Sequence, residues 1–203
     1  MNAAAFWDNL ADRYAKQPIG NIEAYEATLD RVRHWLRPDM SVMEIGCGTG
    51  TTALKLADCV RTYLGTDLSG EMARIGNEKA ADVPNVSFAP APAETAGAGQ
   101  HFDVVLAFNL LHLVEDRGAL FAHVRGLLPE AGLFISKTPC LAGKPWFAPL
   151  IWVMQIVGKA PRPVRLLSTK TLEAEIKAAG FEIVETGGYP KKLPNHLVVA
   201  RAI

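Results

Sequence analysis

The stretch VMEIGCGTG, residues 42–50, decides the fold, because an apolar run there ends in an acidic residue and a glycine-rich loop. Glu44 stands two residues before Gly46, and further glycines follow at positions 48 and 50. The apolar run predicts a buried strand, and glycines directly after a strand let the backbone approach a ligand closely. A strand, a glycine-rich loop and a helix in this order indicate a nucleoside-binding or nucleotide-binding unit.

Strands and helices are predicted to alternate after this loop. Short apolar runs predict the strands, and apolar residues at helical spacing predict the helices between them. The predicted strands cover 41–45, 60–66, 86–89, 102–108 and 133–138, and the predicted helices cover 50–58, 70–80 and 115–128. This alternation is typical of an α/β protein with a parallel sheet and helices on both faces.

Both ends of the chain depart from the alternation. The first 39 residues show two helical patterns, and residues 139–168 form an apolar stretch that contains prolines and basic residues. A last helix at 169–179 precedes strands at 181–186 and 196–202, which are too close for a crossover helix and are therefore predicted to be antiparallel. We expect a single domain, 1–203, made of a helical cap (1–39), a ligand-binding core (40–138), an insertion or lid (139–168) and a C-terminal helix with the strand pair (169–203).

Composition and charge exclude several classes of protein. Lys plus Arg equals Asp plus Glu in the 203 residues, and this neutrality argues against nucleic-acid binding. The three widely spaced cysteines form no disulfide framework and no metal-ligand pattern, so no metal is expected. The charged N-terminus does not resemble a signal peptide, and no apolar run reaches the roughly eighteen residues of a membrane span. We expect a cytoplasmic protein.

Two ligand classes compete for the glycine loop. The dinucleotide fingerprint GxGxxG, begun at Gly46, requires glycine or alanine where this chain has Thr51. A carboxylate at Glu44 would repel a pyrophosphate, whereas it would attract the sulfonium and ammonium groups of S-adenosylmethionine. Asp67, at the end of the second predicted strand, can accept the ribose hydroxyls of either ligand. The loop therefore favours S-adenosylmethionine, and Asp67 indicates only a nucleoside.

The motifs as a set resemble a known family. VMEIGCGTG at 42–50, GTDLS at 65–69 and FDVVLAFNLLHLVED at 102–116 look like the class I, Rossmann-like, S-adenosylmethionine-dependent methyltransferases. The small-molecule group that methylates quinones and lipids is the most similar. The resemblance covers residues 40–138 and the antiparallel ending. It implies a seven-stranded, mostly parallel sheet whose last strand is antiparallel, with helices on both faces and an N-terminal helical cap.

The same resemblance implies the residues that bind the cofactor. They are Glu44, Gly46, Cys47 and Gly48 at the methionine end, Asp67 at the ribose, Leu68 and Met72 near the adenine, and Asn109 and Leu110 through their backbone. The chain departs from the family at Pro92, where an aspartate often binds the adenine amino group. The backbone N–H of Ala93 and the carboxylate of Glu94 are the expected substitutes.

Further candidates come with alternatives. His112 is a candidate general base, which an acceptor hydroxyl would need; the alternative is a packing histidine in a turn. The ring of Tyr14 can lie against the sulfonium by cation–π attraction, Tyr25 is a candidate substrate-binding residue and Trp7 is a further pocket candidate, unless all three only pack in the core. Cys47 is expected to contribute its backbone rather than a reactive thiol.

The insertion is the part of the sequence that bears most on the acceptor. Residues 145–157 are apolar nearly all round a helix, and Trp146 is a candidate substrate-binding residue. Such a helix can be buried, can act as a lid over a hydrophobic substrate, or can contact a membrane peripherally through 145–170 with the basic residues that follow it. The sequence does not distinguish among these three.

We predict methyl transfer from S-adenosylmethionine to a small, hydrophobic acceptor. The positive sulfur already activates the methyl group, so the protein mainly positions the two partners and excludes water. The alternatives are a nucleotide-dependent oxidoreductase and a non-catalytic, membrane-associated protein that binds S-adenosylmethionine. The acceptor atom and the oligomeric state do not follow from the sequence.

Overall fold

The predicted alternation is present in a computed structural model, which describes residues 3–144, 149, 154–155, 163–189 and 195–203. The strands are β1 (Ser41–Ile45), β2 (Thr62–Asp67), β3 (Val86–Pro90), β4 (Val104–Phe108), β5 (Leu133–Pro139), β6 (Phe181–Gly188) and β7 (Asn195–Ala202). The helices are α1 (Ala3–Lys16), α2 (Ile22–Arg33), α3 (Thr51–Leu56), α4 (Gly70–Lys79), α5 (Arg117–Leu127) and α6 (Thr169–Ala178).

The strands form one seven-stranded sheet in the order β3-β2-β1-β4-β5-β7-β6. The pairs from β3 through to β5 are parallel, whereas β7 is antiparallel to both of its neighbours. The predicted fold is therefore confirmed. The strand order reverses between β1 and β4, and an open α/β sheet binds ligands at the carboxyl ends of the strands beside such a reversal.

Several boundaries differ from the predicted ones. The second strand begins at Thr62 rather than at residue 60, because the N–H of Arg61 donates to Met40 O in the turn before β1. The fourth strand begins at Val104, because the N–H of Phe102 donates to Leu127 O at the end of α5. In both places a loop contact takes the hydrogen bond that the sheet would have used.

Apolar residues on the two faces of the sheet form separate parts of the core. Along β5, Phe134 packs in one cluster with residues of α5 and α6. Its neighbours Leu133 and Ile135 pack in the other cluster with Leu29 and Val32 of α2. This alternation follows from the two-residue period of a strand. It places the odd-numbered side chains of β5 on the face that α2 covers.

Hydrogen bonds fix the N-terminal helices over the carboxyl ends of the strands. Asp8 of α1 accepts from the Oγ of Ser69 at 2.6 Å, which joins α1 to the start of α4. In α2, Tyr25 Oη and Thr52 Oγ1 lie 3.1 Å apart, which joins α2 to α3. Further along α2, Arg31 forms an ion pair with Glu185 of β6. None of the helices in the described ranges has the length and hydropathy that crossing a bilayer requires.

Candidate active site

A cavity of about 620 Å³ opens at the carboxyl ends of β1, β2, β4 and β5. Its floor includes the loop after β1, and its walls include residues of α1, α2 and the turns after β3 and β4. The size lies within the range of small-molecule sites, roughly 300–1,000 Å³. The cavity therefore has the position and the size that the strand order predicts for a ligand site.

The glycine loop after β1 needs glycine for two separate reasons. Gly48 and Gly50 have φ angles of 55° and 78°, in the left-handed region that favours glycine. A Cβ at Gly50 would lie 2.3 Å from Cζ of Phe88, and one at Gly48 would lie 3.3 Å from Cε1 of Tyr14. Without side chains, the loop can turn sharply and still form the floor of the cavity.

Asp67 connects the glycine loop to the next turn. Its Oδ2 accepts the N–H of Gly48 at 2.9 Å, and its Oδ1 accepts the N–H of Ser69 at 2.9 Å. Burial raises the pKa of the Asp67 carboxyl above its ordinary value, although the two N–H donors oppose that effect. The carboxylate lines the cavity while it holds two loops in register.

Glu44 is a buried carboxyl on the cavity floor, with only 2% of its surface exposed. The hydroxyl of Tyr63 donates to its Oε2 at 2.8 Å. Burial raises the pKa of Glu44 to about 7, the charge of Asp67 adds to the rise, and the Tyr63 hydrogen bond opposes it. Two carboxyl groups that disfavour each other's charge make this floor attractive to a cationic ligand.

The residues predicted to bind the cofactor all line this cavity: Tyr14, Glu44, Gly46, Cys47, Gly48, Asp67, Leu68, Met72, Ala93, Glu94, Asn109 and Leu110. Tyr25 and Trp7 line it too, and the Trp7 and Tyr14 rings make an edge contact with centroids 6.4 Å apart. Their roles toward a ligand stay predictions. Trp146, the other candidate for substrate binding, lies outside the described residues.

The turn after β3 contains Pro92, the residue at which this chain differs from the family pattern. Pro92, Ala93 and Glu94 all line the cavity. The carbonyl of Pro92 accepts the N–H groups of Thr95 and Ala96 at 3.1 and 2.9 Å, so a hydrogen-bonded turn begins at the proline. Glu94 is exposed and Ala93 is half-buried. The proposed replacement of the missing aspartate stays a prediction.

His112, the candidate general base, occupies a different place from the other candidates. It is not among the residues that line the cavity, although its neighbour Leu113 is. Burial lowers the pKa of its imidazole to about 4, and no described residue hydrogen-bonds its buried Nδ1. A neutral imidazole of such low basicity is a weak proton acceptor at neutral pH. Its catalytic role stays untested.

Cys47 is buried beneath the loop, and burial raises the pKa of its thiol well above the ordinary value. The thiol is therefore protonated at neutral pH, which is the opposite of a reactive cysteine. The N–H of Cys47 donates to Thr66 O at 2.9 Å. The loop geometry is consistent with a backbone contribution from this residue.

Thr28 of α2 and Lys137 of β5 are among the residues of the cavity wall that were not predicted from the sequence. The Nζ of Lys137 donates to Thr28 Oγ1 at 2.7 Å, and that hydroxyl donates to Ala24 O at 2.7 Å. Burial lowers the pKa of the Lys137 ammonium. A lysine inside the otherwise uncharged strand LFISKTP was a signal available in the sequence.

Comparison with known proteins identifies the family. Residues 14–186 match the model of a methyltransferase domain family, which is most of the chain. The chain belongs to this methyltransferase family. The predicted cofactor, S-adenosylmethionine, and the predicted reaction class are therefore confirmed, and the family favours methyl transfer over the alternatives.

The methyltransferase has relatives of different kinds. A ubiquinone biosynthesis O-methyltransferase of Azorhizobium caulinodans is 28% identical over 171 residues, which cover 77% of this chain and 68% of that protein. The highly reducing polyketide synthase g433 of Fusarium sp is 26% identical over 180 residues, which cover 79% of this chain and 7% of the synthase. The chain thus spans a small fraction of some of its curated relatives.

A solved structure shares the fold of the methyltransferase. Magnesium protoporphyrin IX methyltransferase from Synechocystis PCC 6803, with bound S-adenosylhomocysteine, has a TM-score of 0.74 and 20% identity, and the match covers 98% of each chain. In the described part of our chain, no group of three or more His, Cys, Asp or Glu side chains is arranged to hold a metal ion.

Proposed function

We propose that this protein transfers the methyl group of S-adenosylmethionine to a small, hydrophobic acceptor that binds in the same cavity. One observation carries the proposal. The buried carboxyl of Glu44, the partly buried carboxyl of Asp67 and the bare glycine loop share a continuous cavity with a mostly apolar wall from α2 and β4. The carboxyls and the glycine loop suit a cationic nucleoside, and the space along the apolar wall leaves room for an acceptor beside it.

The residues present fit this cofactor. Side chains at Gly46 and Gly48 would crowd Leu110 and Tyr14, so glycine lets these two walls approach the loop, and the floor offers carboxylates to positive groups. Bound S-adenosylmethionine supplies an electrophilic methyl group on a positively charged sulfur. Asp67 is the candidate acceptor for the ribose hydroxyls, and Glu44 is the candidate counter-charge for the methionine end.

Residues above the floor orient and enclose the ligands. Tyr14 stands over Gly48, where its ring can lie against a sulfonium. Asn109 has a φ of 54°, a left-handed conformation that an asparagine adopts more readily than most residues, and this turns the chain at the end of β4 toward the cavity. In-line displacement requires the acceptor and the sulfur on opposite sides of the methyl carbon, so positioning is the main task of these walls.

Calorimetry tests the cofactor assignment. We expect S-adenosylhomocysteine to bind the protein and NADH not to bind. Glu44→Gln keeps the shape of the side chain and removes its charge, so it should weaken S-adenosylmethionine binding about tenfold or more. Glu182→Gln, at an exposed position of β6, is the matched control and should bind normally. Binding of NADH alone would favour the oxidoreductase instead.

A panel of acceptors separates catalysis from binding alone. Phenols, catechols, thiols, amines and activated methylene compounds, supplied with S-adenosylmethionine, cover the chemistries open to a small apolar cavity. Formation of S-adenosylhomocysteine with any of them supports the proposed enzyme. Cofactor binding without turnover across the panel would favour the non-catalytic alternative.

Location is a separate proposal that rests on the sequence. We infer a cytoplasmic protein with peripheral membrane contact through 145–170, because apolar residues there precede basic ones. Most of that segment lies outside the described residues; Arg165 and Lys170 are described and exposed. In a co-sedimentation assay, we expect more of the protein to sediment with anionic vesicles than with neutral vesicles. Absence of binding to anionic vesicles would remove the membrane contact.

A further inference from the structure

Lys137 lies at the end of the cavity that is far from the proposed ribose site. It stands in β5, beside Phe108 of β4, and its side chain is on the face covered by α2. Neighbouring strands are about 4.8 Å apart, so the backbone of β5 is roughly 10 Å from β1 and roughly 14 Å from β2, which carries Asp67. The ammonium is therefore placed where an acceptor, rather than the nucleoside, would bind.

Hydrogen bonds aim the ammonium into this region. Thr28, with 2% of its surface exposed, accepts one N–H of Lys137 through Oγ1. The hydrogen of that hydroxyl is directed to Ala24 O, so Thr28 acts toward the lysine only as an acceptor. A lysine ammonium has three donors, and among the described residues only Thr28 accepts one from Lys137, which leaves two for a ligand. Thr28 thus holds Lys137 without competing for what the ammonium binds.

The charge of Lys137 has no counter-charge among the described residues. The half-buried cations Lys55, Arg31 and Arg117 each form an ion pair with a glutamate, whereas no described carboxylate lies within ion-pair distance of Lys137. Lys79 shows the purely structural use of a lysine, because its Nζ bonds the carbonyl and hydroxyl of Thr49 and it does not line the cavity. A half-buried, unpaired cation in a cavity wall is costly unless a ligand compensates it.

We propose that Lys137, positioned by Thr28, binds an anionic oxygen of the methyl acceptor, either a carboxylate or an ionised hydroxyl. The inference rests on the proposed function and narrows its substrate class to acceptors with a hydrophobic body and one acidic group. A charge-assisted hydrogen bond from the ammonium fixes that group in place. The rest of the acceptor then extends along the apolar wall toward β1 and the cofactor.

Binding of matched probes tests the proposal. The protein, saturated with S-adenosylhomocysteine, is titrated by calorimetry with 2-naphthoate and 2-naphthamide for the carboxylate, and with 4-nitrophenolate and 4-nitroanisole for the ionised hydroxyl. We expect at least one anion to bind about tenfold or more tightly than its neutral partner. The pair that shows the preference identifies the acidic group. Equal binding within both pairs, or no binding of either anion, overturns the proposal.

Variants assign the preference to Lys137. Lys137→Gln should abolish the preference and leave the affinity for S-adenosylhomocysteine within about twofold of wild type. Lys177→Gln, at an exposed position of α6, is the matched control and should keep the preference. Thr28→Val should reduce the preference and Thr28→Ser should restore it, which a mere loss of packing would not do. An unchanged preference in Lys137→Gln overturns the assignment.

The two proposals fail differently. If wild type binds S-adenosylhomocysteine but does not distinguish the anions from their neutral partners, only the inference about Lys137 is wrong. If wild type does not bind S-adenosylhomocysteine, the proposed function is wrong and this inference is wrong with it.

Discussion

Replacing Glu44 by glutamine should make the protein more stable at neutral and alkaline pH while it weakens cofactor binding. The folded protein holds the proton of Glu44 up to about pH 7, whereas the ordinary value is 4.5. Between these values the folded state binds more protons than the unfolded state, so the free energy of unfolding falls as the pH rises. Glutamine has no proton to lose and escapes this penalty.

The size of the effect follows from the shift. Each pKa unit corresponds to about 1.4 kcal/mol, so a rise from 4.5 to about 7 corresponds to about 3 kcal/mol lost by wild type once the pH exceeds 7. The loss is absent below pH 4.5 and complete above pH 7. The amide of the Glu44→Gln variant would keep an oxygen to accept from Tyr63, so the isosteric change itself should cost little.

Urea unfolding of both proteins, followed by tryptophan fluorescence from about pH 4.5 to about pH 8, measures the difference directly. Titrations of other groups largely cancel in that difference, and the effect of the Asp67 charge is already part of the raised pKa of Glu44. We expect the difference in unfolding free energy to move by about 3 kcal/mol in favour of Glu44→Gln across this range. Glu182→Gln should show no such trend. A difference between Glu44→Gln and wild type that stays constant within about 1 kcal/mol would refute the reasoning.

Three other predictions follow from single contacts. Tyr63→Phe removes a donor that lowers the pKa of Glu44, so the pH at which stability is lost should rise, and urea unfolding across the same pH range checks this. Gly50→Ala should destabilise the protein by about 1–3 kcal/mol, because Gly50 has a φ of 78° and a Cβ there would lie 2.3 Å from the Phe88 ring. Thermal unfolding measures the loss, and Gly126→Ala is the control because a Cβ at Gly126 would meet open space. His112→Gln should lower kcat by less than about tenfold, because His112 does not line the cavity. Loss of a general base typically lowers the rate by about 10²–10⁴-fold. A loss of kcat in that higher range, with unchanged cofactor affinity, would establish His112 as the general base.

The parts of the molecule that could be predicted are those whose signals are local in the sequence. The strand 41–45 was predicted with its observed limits, because apolar residues fill it and glycines follow it. Glu44 and Asp67 were predicted to bind two parts of one cofactor, because each stands at or near the carboxyl end of a predicted parallel strand. They do line one cavity, and Asp67 holds the loop that begins two residues after Glu44.

The acceptor end of the cavity depends on contacts between distant segments. Lys137 and Thr28 are 109 residues apart, and they meet only because α2 packs across the face of β5. No pattern around either residue encodes that packing. For His112, the sequence predicts the position in the chain, directly after β4. It does not predict the direction of the ring, because the surrounding core determines that direction.

The floor formed by Glu44, Asp67 and the glycine loop is the proposed binding site for S-adenosylmethionine. A crystal structure of the protein with S-adenosylhomocysteine tests it most directly. We expect the ribose hydroxyls within hydrogen-bond distance of Asp67 and the amino-acid end of the ligand over Gly46 and Gly48, near Glu44. Density for the ligand elsewhere, with this floor unoccupied at a saturating concentration, would contradict it.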